Sequence, residues 1–174
     1  GVMLMDVFLE KIVPRRKTVA DVFIIWGIVV AAIILIFISM TFEPIVAFGL
    51  GPIIAIGIIY LAYRLIISRN IEFEYIVTNG DLDIDKITAK RSRKRIFSAN
   101  CKDFEILARV QGPHFSQEFQ SIAKKIKACS SDNSPDAYFA VLNYKGERTV
   151  VIFEPDPKML DNFKLFITRK IFVN

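Results

Sequence analysis

The sequence predicts an α+β membrane protein. A transmembrane α-hairpin lies near the N-terminus, and a cytoplasmic domain follows, built on a bent antiparallel β-sheet or barrel with a C-terminal capping helix. Three observations predict this. Two long apolar runs stand back to back between Val22 and Ile67. Beyond Ile71 apolar residues alternate with polar ones instead of running together. Asp156-Pro157 then opens a final amphipathic stretch. Composition agrees: 53% of the 174 residues are hydrophobic, mean hydropathy is +0.40, and a soluble domain is usually less apolar.

The first run, Val22 to Met40, is VFIIWGIVVAAIILIFISM and carries no charge. At a rise of about 1.5 Å per residue, roughly 20 residues cross a hydrocarbon core of about 30 Å. The second, Ile45 to Ile67, carries only Arg64, near enough to its end to snorkel. Gly49 and Gly57 in this run are the candidates for close helix packing, since small residues let membrane helices approach. The link Thr41-Phe42-Glu43-Pro44 is so short that the two helices must be antiparallel. A signal peptide is disfavoured, because the first run exceeds an h-region and lacks a small-residue cleavage site. Lys11, Arg15, Arg16 and Lys17 precede the first run, Arg64 and Arg69 end the second, and only Glu43 charges the link. The positive-inside rule then predicts a multi-pass plasma-membrane protein with both termini in the cytoplasm.

Residues 1–21 form an amphipathic N-terminal segment. Met5, Phe8, Leu9 and Ile12 share one face of a helix that ends at Pro14. Two readings stay open: a helix lying on the inner leaflet, or a helix packed on the soluble domain.

The cytoplasmic domain is expected over residues 69–174. Ile71 to Thr78 alternates, Asn79-Gly80 is a strong hairpin-turn signal, and Asp81 to Ile87 alternates again. A polar link leads to a short strand at Ile96 to Ser98, and Phe104 to Val110 reads as a fourth. Phe115, Phe119, Ile122 and Ile126 are spaced for one face of a helix. Ala137 to Tyr144 and Arg148 to Phe153 flank a Lys145-Gly146 turn. Asp156 and Pro157 supply an N-cap and first helical residue for a helix carrying Met159, Leu160, Phe163, Phe166, Ile167 and Ile171 or Phe172 on its apolar side.

Tyr75-Ile76-Val77-Thr78-Asn79-Gly80-Asp81-Leu82-Asp83-Ile84 resembles the opening hairpin of bacterial pleckstrin-homology-like (PH-like) domains, where an aromatic-x-Val-Thr stretch meets a turn and a Leu-x-Ile strand. A basic segment and a further strand follow there, as Lys90 to Phe97 do here. Many proteins of this kind carry the domain directly after a pair of membrane helices, and the whole chain resembles a group of small bacterial two-helix membrane proteins. The resemblance implies a PH-like fold over about Ile71 to Ile171. It does not carry over a phosphoinositide site, because lipid-binding relatives gather basic residues between the first two strands, where this chain has the tight Asn79-Gly80 turn.

No catalytic constellation stands out, and no cofactor or metal site is expected. His114 is the only histidine, Cys101 and Cys129 have neither metal nor redox spacing, and no Gly-rich phosphate loop is present. If the domain is cytoplasmic, both thiols stay reduced. Asp81, Asp83 and Asp85 share a strand face expected to be solvated and lack EF-hand geometry. The net charge is +5. The best functional candidate is the acid-free basic stretch of Lys86, Lys90, Arg91, Arg93, Lys94 and Arg95, each worth roughly 1 kcal/mol of attraction to an anionic bilayer. Its bland reading is a solvated loop that reinforces topology. The lack of interleaved aromatic residues within this stretch argues against nucleic acid. The expectation is a non-enzymatic, membrane-anchored interaction module contacting anionic lipid headgroups or a protein partner. The alternative is a structural or accessory subunit of a larger membrane complex, or a homo-oligomer, packed through its helices.

Overall fold

The computed structural model describes residues 6–167 and 171–172. It consists of two compact units: Arg16–Ile71, and the chain up to Arg15 together with Glu72 onward.

In the helical unit, α1 spans Val19–Thr41. Its start is fixed by a capping box: Thr18 Oγ1 accepts from the Asp21 amide at 3.2 Å, and Asp21 Oδ2 accepts from the Thr18 amide at 3.0 Å. The expected four-residue link is replaced by a longer connection. A short α2, Glu43–Ala47, follows α1, and α3 begins at Gly51 and ends at Ile67. Gly49 breaks the run because it adopts φ +67°, and Pro52 restarts the helix. α1 is therefore the one described helix long and apolar enough to cross a membrane by length and composition, and α3 is a shorter apolar helix. The two pack together. A close approach is at Gly51, where a Cβ would stand 2.9 Å from the Ser39 carbonyl oxygen. Arg69 Nε donates to the buried Asp21 carboxylate at 3.1 Å, tying the second residue after α3 to the start of α1.

The other unit begins with a strand where a helix was expected. β1, Phe8–Pro14, pairs antiparallel with β2, Ile71–Thr78, from Phe8↔Thr78 to Pro14↔Glu72. An isolated helix this short is marginal in water. Pairing with β2 instead satisfies the backbone groups on one side of the strand along seven residues, buries Val13, and lets Lys11 Nζ donate to the Glu154 carbonyl at 2.9 Å. Met5, assigned to the same apolar face, lies outside the described residues.

β2 turns into β3, Asp81–Thr88, through Asn79 and Gly80 at φ 49° and 88°, the positive-φ pair that a tight hairpin needs. β4 is longer than expected, Ser92–Asn100, because it pairs with the whole of β3. Cys101–Asp103 form one 3-10 turn. β5 is Ile106–Arg109.

The helix expected through Ile126 is largely absent. α4 covers only Gln117–Gln120, and Lys124–Ala128 form strand β6. Phe115, Phe119 and Ile122 do share one packing face, but from Lys124 the chain gains a backbone ladder against β8. β7, Tyr138–Tyr144, and β8, Glu147–Phe153, form the expected hairpin. α5 runs Pro157–Phe166, capped as expected by Asp156, whose Oδ1 accepts from the Met159 amide at 2.8 Å. It stops short of Ile171–Phe172, which form β9; residues 168–170, inside the expected helix, lie outside the described residues.

The strands make two sheets, in the orders β1-β2-β3-β4 and β6-β8-β7-β5-β9. The second is not purely antiparallel, since β6 runs parallel to β8 and β9 parallel to β5. The facing sides meet through aromatic rings: Tyr75 stands edge-on to Phe153 at 5.8 Å and Phe97 lies 5.0 Å from Tyr144. α5 closes one end, where Phe163 touches Phe104 and Phe153. Asn162 Oδ1 accepts from the Gly80 amide at 3.0 Å, so this helix also holds the β2–β3 turn.

Candidate functional site

The β3–β4 hairpin carries all of the sequence-predicted basic residues and sorts them into two groups. Arg93 and Arg95 lie on the outer face of the first sheet, among carboxylates from neighbouring strands. Arg93 Nη2 donates to Glu74 Oε1 at 3.1 Å, and its Nη1 stands 2.9 Å from Oε2. Arg95 bonds to Asp85 and reaches Asp83 at 2.7 Å. The aspartates expected to be solvated are thus in use. Asp85 is buried, Asp83 also accepts from Ser98 Oγ at 2.6 Å, and Asp81 accepts from Asn100 at 2.8 Å. The remaining four, Lys86, Lys90, Arg91 and Lys94, have no ion pair among the described residues. Lys90 and Arg91 sit in the turn, where Ala89 and Lys90 take φ 54° and 55°, and Lys86 pairs across the ladder with Lys94. Like charges directly opposed on a ladder repel, so this tip is a local concentration of uncompensated positive charge.

Glu74 is the residue the sequence reading missed. It is 3% exposed, and it faces Glu10 from β1, Asp85 from β3 and Arg93 from β4. Burial, and then hydrogen bonding with Glu10, hold its carboxyl above the usual range despite Arg93. The signal was present in the alternation of β2, which puts Glu74 on the same face as the β3 aspartates once the turn sets the register.

The thiols are placed for packing. Cys101 is fully buried beneath Gly80 and Phe166, and burial pushes its thiol up to about 11. Cys129 is raised for the same reason. His114 lies in a separate segment, between β5 and α4. Among the described residues no group of three or more His, Cys, Asp or Glu side chains could hold a metal ion. Tyr75, at the centre of the domain, has its hydroxyl bonded to the Ala128 carbonyl and accepting from the Glu154 amide at 3.1 Å, which locks β2 to the far sheet.

Of the two helix-packing candidates, Gly49 forms the turn before α3 and Gly57 has open space where a Cβ would project. Neither makes the close contact between α1 and α3. Gly51, which lies between Gly49 and Gly57 in the sequence, does.

Two facing sheets closed by a helix, with a charged hairpin at the edge of one, define an α+β two-sheet domain. The chain matches the family described as bacterial PH-like domain (DUF6106) over residues 5–173, and it belongs to that family. PH-like domains are in general binding modules and non-enzymatic. No curated protein and no solved structure matches the chain.

Proposed function

We propose that this protein is a non-enzymatic interaction module anchored in the plasma membrane, whose PH-like domain contacts anionic lipid headgroups at the inner leaflet. The observation that carries the reading is the β3–β4 tip, where Lys86, Lys90, Arg91 and Lys94 have no ion pair within the described residues. Pairing of β1 with β2 supports a two-pass anchor. Strands that share a ladder must share a compartment, so the chain between Pro14 and Glu72 crosses a membrane an even number of times. If α1 crosses, the shorter α3 returns. The basic residues flanking α1 and α3 favour the cytoplasmic side for both ends.

The test is hydrogen exchange of the full chain in nanodiscs made with or without phosphatidylserine. Amides of the β3–β4 turn are expected to exchange more slowly with the anionic lipid, less so at high salt, and the difference should disappear in the K90Q/R91Q/K94Q variant. Identical exchange in the two lipids would exclude headgroup contact.

The open side of Gly57, on a helix whose Ile53, Ile56 and Ile59 are also exposed, favours a second reading, an accessory subunit packed against another membrane protein. A detergent-stable complex lost on Gly57→Leu would support it.

A further inference from the structure

The outer face of the second sheet is apolar, and it is only partly covered. Ala108, Phe139, Val141 and Val150 form a buried cluster there, roofed by Phe115, Phe119 and Ile122 from the segment between β5 and β6. Phe115 and Phe119 stack on Phe139 at 4.6 and 5.6 Å. The roof ends before the sheet does. Beyond it lies a cleft of about 340 Å³ with Val110, Phe115 and Ile152 among its lining residues. Strand register puts two cations beside this apolar surface, because Lys125 opposes Val150 and Lys127 opposes Ile152 on the β6–β8 ladder.

These lysines are not spent internally. Lys125 Nζ donates to the Gln120 carbonyl at 2.6 Å, which leaves its charge without a carboxylate among the described residues and two of its three protons unassigned. Lys127 pairs with Asp132, the one carboxylate among the described residues that line the cleft, at 3.1 Å, but both side chains are more than half exposed, so water screens the pair and the lining keeps a net positive charge. The cleft is at the lower end of the size of small-molecule sites, and it combines an apolar floor with a few convergent polar groups, as such sites do.

We infer that this cleft binds a small amphipathic organic anion, its apolar body on Val110, Phe115 and Ile152 and its anionic group on Lys125 and Lys127. A bare inorganic anion would forgo the floor. A neutral apolar molecule would forgo the lysines. The inference is independent of headgroup contact at the β3–β4 tip.

The experiment follows the Ile152 and Val110 methyl resonances of the full chain in neutral phosphatidylcholine nanodiscs, with three probes. Naphthalene-2-sulfonate is expected to shift both resonances saturably. Inorganic sulfate and neutral 2-naphthol should each bind at least about tenfold more weakly, the scale of one charge-assisted contact or its apolar counterpart. Lys125→Gln should weaken the sulfonate about tenfold and Lys125→Arg should retain it. Lys145→Gln, in the β7–β8 turn, should leave it unchanged. The probe-free methyl spectrum reports whether each variant is folded. Equal affinity for naphthol and sulfonate, equal affinity in folded Lys125→Gln, or no shift up to the solubility of the probe would overturn the inference.

Discussion

The outer faces of the two sheets solve the same problem differently. The first is left open and covered by charge: Glu10, Glu74, Asp83 and Asp85, on three strands, face Arg93 and Arg95 on the fourth. The second is apolar and covered by its own chain, through Phe115, Phe119 and Ile122. Covering with chain yields a second small core whose stability rests on packing. Covering with charge yields a surface whose stability depends on which groups are ionised. Removing a ring should therefore cost more than removing a charge, and only the charged face should respond to pH.

The largest expected effect is at Phe139, which is fully buried and touches both roofing rings. Phe139→Ala should destabilise the domain by about 3–5 kcal/mol, measured by pulse proteolysis in urea on the full chain. A cost near that of an exposed residue would mean that the roof is not a core. Arg95→Ala comes next. It leaves the buried Asp85, among the described residues, with only the longer 4.0 Å approach of Arg93, and because Arg95 is itself half exposed the expected loss is about 1–2 kcal/mol. Glu74→Gln should have the opposite sign. The folded state holds the Glu74 proton more tightly than the unfolded chain does, so the wild type loses stability as pH rises through the raised pKa. The glutamine variant should gain about 0.5–1 kcal/mol near pH 8, and that advantage should shrink as pH falls to about 4. An advantage independent of pH would show that the gain is not electrostatic. The smallest change belongs to Lys90→Gln and Arg91→Gln, both exposed, which should alter stability by no more than about 0.5 kcal/mol. Their expected effect is on lipid-dependent exchange alone.

Much of the frame was legible because the signals are local. Alternation marked β2 and β3, the Lys145-Gly146 turn placed β7 and β8 on either side of it, Asn79-Gly80 marked the first turn, and Asp156-Pro157 marked the start of α5. What escaped depends on distant partners. β1 reads equally well as an amphipathic helix until β2 is available to pair with it, and β2 lies beyond both long apolar runs. The residues of β6 extend the periodicity of the roof, and only the parallel ladder with β8 makes them extended. The basic stretch looked like one patch because a linear run hides the pleat. Alternate residues leave on opposite faces, so Arg93 and Arg95 meet acids that the reading had assigned to solvent. Gly49 forms the turn before α3, and the close contact with α1 falls two residues on, at Gly51.

The pairing of Pro14 with Glu72 has a consequence for how this protein can be taken apart. The helices are an insertion into a β-hairpin, so the domain is not a fragment that begins where the helices end. Cutting the chain at residue 69 would discard a strand, with Val13 and the Lys11 bond to the Glu154 carbonyl. During synthesis, that first strand must wait at the ribosome's exit side until the whole insertion has been made. Conversely, a short turn joining Pro14 to Glu72 would bridge neighbours already in register, and the shortened chain should yield the complete domain without a membrane.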